Sequence, residues 1–101
     1  MNPPTSRVIV QRQTGEVLGD YSLGAGSHTV GRDTDNTISA ESEYVSRHHA
    51  RLDISANGMS IEDLGSTHGT FVNGGAVWGT TAIAANQAVQ IGDRYLTVQG
   101  E

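Results

Sequence analysis

The sequence contains no cysteine. A disulfide scaffold, a cysteine-ligated zinc finger and a thiolate nucleophile are therefore excluded. It contains no lysine either, and all six basic residues are arginine. That removes the Walker-type phosphate loop, whose lysine reaches the terminal phosphates, and any enzyme working through a lysine Schiff base. Long hydrophobic runs are missing too. No apolar stretch approaches the roughly 18 residues of a membrane span, and none reads as a signal-peptide core. Positive charge is scarce, with 6 basic against 11 acidic residues and a formal net charge of −5. Nucleic-acid-binding domains are ordinarily basic, so neither nucleic acid nor membrane is an expected partner.

What is present suits one globular domain. The chain has 101 residues, 36 % of them hydrophobic, enough for a core and too few for two domains. Residues 1–6 (MNPPTS) read as a flexible lead-in, because Pro3 and Pro4 resist regular structure. The domain is expected over residues 7–99. The end at Gly100 and Glu101, directly after a strand-like run, reads as a monomeric module cut from a larger protein.

No long stretch keeps a helical period, whereas period-2 alternation recurs. Val8 and Val10 alternate with Arg7, Ile9 and Gln11, and Ala50, Leu52 and Ile54 with Arg51 and Asp53. Met59 and Ile61, then Leu96 and Val98, repeat the pattern. Asn57-Gly58, Gly92-Asp93, Thr14-Gly15 and Asn73-Gly74 punctuate the runs as turns. Thirteen glycines and 25 β-branched residues fit many short strands joined by tight turns, an all-β sandwich. Two longer non-strand pieces, roughly residues 32–47 and 63–70, hold most of the unusual residues. In a sandwich, loops of this kind gather at the ends and carry function.

Three segments carry chemistry: Val30-Gly31-Arg32, Ser46-Arg47-His48-His49-Ala50, and Asp63 through Gly74 (DLGSTHGTFVNG). Together they supply two arginine forks, hydroxyls and glycine-opened backbone amides. That inventory suits a small anion with several oxygens. Rival readings are weak. His48 and His49 are adjacent and His28 and His68 lie far off, so no spacing matches a metal site. A Ser46–His49 catalytic pair has no nucleophile elbow. Gly24-Ala25-Gly26 lacks the following helix of a dinucleotide loop and reads as a turn. Phe71 and Trp78 read as core or edge packing.

Gly31-Arg32, then Ser46-Arg47-x-His49, then Gly65-Ser66-Thr67-x-Gly69-Thr70-x-Val72-Asn73-Gly74 resembles the forkhead-associated (FHA) domain over about residues 8–98. The resemblance implies an FHA/SMAD-like β-sandwich of about eleven short, mostly antiparallel strands with binding loops at one end. It also implies a phosphothreonine-binding adaptor in Ser/Thr kinase signalling, with no catalytic activity, no cofactor and a cytoplasmic address. The alternative is a scaffold that meets its partner through a sandwich face without phosphate. By resemblance, Arg32, Ser46 and Thr67 are the core phosphate ligands, and Arg47, Ser66 and His68 join them on the phosphopeptide. Gly31, His49, Gly69 and Asn73 support the site, His49 as a brace and Asn73 as a tie between loops. Residue 68 departs from the family, which most often has asparagine there. The loop Glu41-Ser42-Glu43-Tyr44-Val45 is expected to border the residue three places after the phosphothreonine. Its carboxylates would disfavour an acidic residue at that place, while Tyr44 or Val45 would favour an apolar or aromatic one.

Overall fold

The structure is a computed structural model and describes residues 5–100. Eleven strands run in chain order: β1 (Thr5–Arg12), β2 (Val17–Gly24), β3 (Gly26–Gly31), β4 (Ile38–Ser39), β5 (Ala50–Ser55), β6 (Gly58–Asp63), β7 (Thr70–Val72), β8 (Gly75–Ala76), β9 (Thr80–Ile83), β10 (Ala88–Ile91) and β11 (Arg94–Gly100). They form two sheets, ordered β2-β1-β11-β10-β7-β8 and β4-β3-β5-β6-β9. Among the described residues every strand pairing is antiparallel except β3 with β4. The alternating apolar residues face inward as the patterning requires. Val8, Val10, Val89, Ile91, Leu96 and Val98 of one sheet and Val30, Ala50, Leu52, Ile54, Ile61 and Ile83 of the other belong to one buried core. Among the described residues no helix is long and apolar enough to cross a membrane.

Two boundaries differ from the sequence reading. Strand β1 begins at Thr5, inside the expected lead-in, because Thr5 pairs with Gly24 and Ser6 with Gly100. Residues 1–4 of that lead-in lie outside the described residues. The β5–β6 hairpin turns on Ala56 and Asn57, with Gly58 already opposite Ser55. By contrast Asn73 and Gly74 form the two-residue β7–β8 turn, with φ of 53° and 79°, the double left-handed conformation that Asn-Gly favours.

The register decides which end carries the site. Strand β3 ends at Gly31, β5 starts at Ala50, β6 ends at Asp63 and β7 starts at Thr70. The loops over residues 32–37, 40–49 and 64–69 therefore leave the same end of the sandwich.

Candidate functional site

Where the ladders stop, these three loops lose their regular backbone partners and must satisfy their polar groups on one another. Arg32 N–H donates to the Ser46 carbonyl at 2.9 Å, and His49 N–H donates to the Val30 carbonyl at 2.8 Å. The chain around residues 46–49 is thereby strapped along the end of β3. Gly31 permits this approach. A Cβ there would lie 2.1 Å from the Arg47 carbonyl oxygen, so any side chain would force the strap away. Thr67 N–H donates to Ser46 Oγ at 3.0 Å, which closes the third loop onto the second.

His49 is fully buried and braces the second loop against the third. Its Nδ1 accepts from Ser46 N–H at 3.1 Å and its Nε2 donates to the Gly69 carbonyl at 2.8 Å. A backbone N–H only donates and a carbonyl only accepts, so these partners fix the neutral ring with its proton on Nε2. Burial pushes the His49 pKa below the usual histidine value. The bond to Gly69 and the charge of Asp63 oppose that shift without reversing it.

Asp63 organises the last loop from its root. Its Oδ1 accepts from the hydroxyls of Ser66 (2.5 Å) and Thr70 (2.7 Å), and its Oδ2 from the amides of Gly65 and Ser66, each at 3.0 Å. Partial burial would raise its pKa, but the bonds from Ser66, Thr70 and Gly65 outweigh this and hold the carboxyl below its usual range.

The loops enclose a cavity of about 340 Å³ lined by Arg32, Glu43, Val45, Ser46, Arg47, Thr67 and His68. Its electrostatics set it apart from the rest of the surface. Arg7 pairs with Asp20, Arg12 with Glu16, Arg51 with Asp53 and Glu62, and Arg94 with Asp93. Among the described residues, the two arginines with no ion-pair or hydrogen-bond partner for their guanidinium are Arg32 and Arg47, and both line this cavity. In a chain of net charge −5, two uncompensated cations converge beside the Ser46 and Thr67 hydroxyls. Ser46 Oγ accepts from Thr67 N–H, and His49 Nδ1 accepts from the backbone of Ser46 rather than its hydroxyl. That is scaffold geometry, not a nucleophile beside its base.

The structure thus gathers Arg32, Ser46, Arg47, Thr67 and His68 on one cavity, with Gly31, His49 and Gly69 beneath it. Two expected residues do different work. The Ser66 hydroxyl donates to Asp63 and accepts from Gly69 N–H at 2.9 Å, so it closes its own loop and does not line the cavity. Asn73 is exposed in the β7–β8 turn, at the far end of β7 from Thr67, and its side chain makes no hydrogen bond among the described residues. The tie between loops comes instead from Asn36. It is buried, and its Nδ2 donates to the Asp33 carbonyl at 2.7 Å and the Arg47 carbonyl at 2.8 Å. Trp78 is 87 % exposed rather than packed. The fold also brings His48 to Asp35 (3.1 Å) and clusters them with Asp33, a meeting that linear spacing does not reveal. Asp63 had a readable signal, since an Asp two residues before a Gly in a loop is an Asx-turn pattern. Asn36 had none for its tie to the second loop, because that acceptor, the Arg47 carbonyl, lies eleven residues away.

The FHA domain family model matches residues 28–92, which include all three motif segments. The chain belongs to the FHA domain family. Among curated proteins this FHA domain resembles the FHA domain-containing protein FhaB of Mycolicibacterium smegmatis, with 34 % identity over 78 residues, 77 % of this chain and 50 % of that protein. The chain spans about half the length of the curated relatives it matches. Among solved structures it resembles the FHA domain of the CT664 protein from Chlamydia trachomatis, with TM-score 0.85, 26 % identity and coverage of 94 % and 96 % of the two chains. It also resembles a chain solved in a structural and functional analysis of phosphothreonine-dependent FHA domain interactions, with TM-score 0.81, 25 % identity and coverage of 94 % and 95 %.

Proposed function

We propose that this FHA domain binds phosphothreonine in a protein partner through the cavity between its three loops, as an adaptor in Ser/Thr kinase signalling. The observation that carries the reading is the pair of unpartnered arginines, Arg32 and Arg47, converging on one cavity. A phosphate monoester carries about −1.5 to −2 charge near neutral pH, which two guanidinium groups balance. The Ser46 hydroxyl, already accepting from Thr67 N–H, keeps its own proton to donate to a phosphate oxygen. Charge-assisted hydrogen bonds contribute about 1.5–3 kcal/mol each. Three to five of them supply most of the roughly 8 kcal/mol of a micromolar complex once the entropy of association is subtracted. Preference for threonine over serine rests on one methyl, about 0.8 kcal/mol if fully buried. Phosphothreonine dependence in the similar FHA interactions supports the same reading. The domain acts as a binding module without catalysis, in the cytoplasm where kinases and their products meet.

Calorimetry tests this with one peptide in phosphothreonine and plain forms, against the parent domain and Arg32→Ala. The phosphorylated form is expected to bind at least about 100-fold tighter, and Arg32→Ala to abolish that advantage while the thermal midpoint is unchanged. Equal binding of the two forms would reject the reading in favour of a phosphate-independent contact through a sandwich face.

A further inference from the structure

We infer that the preferred ligand is a phosphothreonine segment with an arginine or lysine close to the phosphothreonine, and that Glu43 selects it; this rests on the phosphothreonine reading above. Glu43 lines the same cavity as Arg32 and Arg47. Among the described residues its carboxylate has no hydrogen-bond or ion-pair partner, and neither has that of Glu41, two residues earlier on the same exposed loop. Asp93, the other carboxylate nearby, is taken: Ser42 Oγ donates to it at 2.5 Å and Arg94 pairs with it at 2.8 Å. The site therefore presents two free cations and a free anion on one cavity. A bound phosphate neutralises the two arginines and leaves Glu43 uncompensated. An acidic neighbour in the peptide would face that charge, and a cationic one would complete the pattern.

The surface next to Glu43 also suits a long basic side chain. A second cavity of about 310 Å³ shares His68 with the first and is lined by Tyr44, Phe71, Gln90, Gly92 and Asp93. Tyr44 and His68 meet edge to face, their ring centres 5.6 Å apart, and His68 lines both cavities. The aliphatic stem of an arginine or lysine can lie along Tyr44 and Phe71, where the ring faces also attract its head. Gln90 donates through Nε2 to the Gly92 carbonyl at 3.0 Å, which leaves its Oε1 as an open acceptor. This differs from the expectation of an apolar or aromatic selector. Val45 is fully buried in the core, and the exposed members of the loop are charged or amphipathic.

The test is a set of phosphothreonine peptides scanned with Lys, Ala or Asp at each of the three positions on either side, titrated by fluorescence polarisation. At the best position Lys is expected to bind roughly fivefold to tenfold tighter than Asp, with Ala between. Glu43→Gln should bring that ratio close to one, Glu43→Arg should invert it, and about 0.5 M salt should shrink it. Equal affinities for Lys, Ala and Asp at every position, or a Lys preference that survives in Glu43→Gln, would overturn the inference. If no phosphorylated peptide binds better than its plain form, the phosphothreonine reading itself falls and this inference falls with it.

Discussion

The two ends of the sandwich are built by different rules. At one end the chain reverses on two residues at Ala56-Asn57 and Asn73-Gly74, and each turn is closed within its own hairpin, the first with the Ser55 hydroxyl, which donates to the Gly58 carbonyl and accepts from Asn57 N–H. At the other end three loops are knitted together by side chains: His49 between Ser46 and Gly69, Asn36 onto Arg47, Asp63 onto four donors, and Ser46 onto Thr67. Loops without a ladder need such partners to hold one shape. Here the rigid roots carry arginines whose tips are unbonded, so little ordering remains to be done when an anion arrives.

Glycine separates the two ends most sharply. Gly31→Ala would drive a Cβ to 2.1 Å from the Arg47 carbonyl, and only a backbone shift relieves it. We expect a loss of about 3 kcal/mol or more and no measurable phosphopeptide binding. Gly74→Ala meets nothing within 4 Å and carries only the strain of a left-handed residue at φ +79°. It should cost about 1 kcal/mol and leave binding intact. Urea denaturation of both variants beside a peptide titration checks this. A Gly31→Ala domain with parental midpoint and affinity would refute the account of the strap.

The same contrast holds for carboxylates. Asp63→Asn removes the charge, and its amide oxygen keeps the backbone N–H groups of Gly65 and Ser66 only if its NH₂ faces the Ser66 and Thr70 hydroxyls, which must then turn from donating to accepting. That should cost about 2 kcal/mol and weaken ligand binding by loosening the loop. Asp53, half-exposed against Arg51, should lose at most about 1 kcal/mol as Asp53→Asn, with binding unchanged. Matching melts for the two variants would remove Asp63 from its organising role. The pair Ser66 and Ser46, on two neighbouring loops of the site, sharpens the point. Ser66→Ala should lower stability by about 1 kcal/mol with at most a small change in affinity. Ser46→Ala should reduce affinity roughly tenfold, since its hydroxyl faces the cavity. Equal affinity losses would return Ser66 to the ligand-contacting set.

The strands were legible because burial on one face forces period-2 alternation, as Leu52 and Ile54 against Arg51 and Asp53 show. The arginines and hydroxyls of the cavity were legible because an anion demands donors, and few residue types supply them. What stayed hidden depends on contacts distant in sequence. The glycine after Asn73 marks it as a turn residue, but nothing local marks Asn36 as the tie between two loops. Gly92, whose Cβ would meet the Tyr44 carbonyl at 2.2 Å, reads in sequence as an ordinary hairpin glycine. Which hydroxyl faces a ligand and which closes a loop depends on where Asp63 points, so Ser66 and Ser46 look alike in one dimension.

The pH dependence of stability is the effect most diagnostic of how the loop end is held. His49 has its pKa depressed below the 6.5 of an accessible histidine. As pH falls through 6.5 the unfolded chain takes up a proton that the folded chain refuses, so unfolding gains ground. The stabilisation is complete above that value and is lost as pH falls towards the folded-state pKa, at no more than about 1.4 kcal/mol per pH unit for one proton. Asp63, also depressed, keeps its contribution until pH drops below about 3.8, so the two losses begin at different pH. Protonating His49 would set a second N–H against the amide of Ser46, which bonds the ring now, and would release the strap that seats Arg32. Urea midpoints measured between pH 8 and 5 should decline for the parent and stay nearly flat in His49→Gln. Nitrogen-15 spectra of the parent ring at neutral pH should show the proton on Nε2, a readout that survives even if the variant does not fold. A parallel decline in both proteins, or a ring protonated on Nδ1, would mean that the loop end is held by packing rather than by this one oriented imidazole.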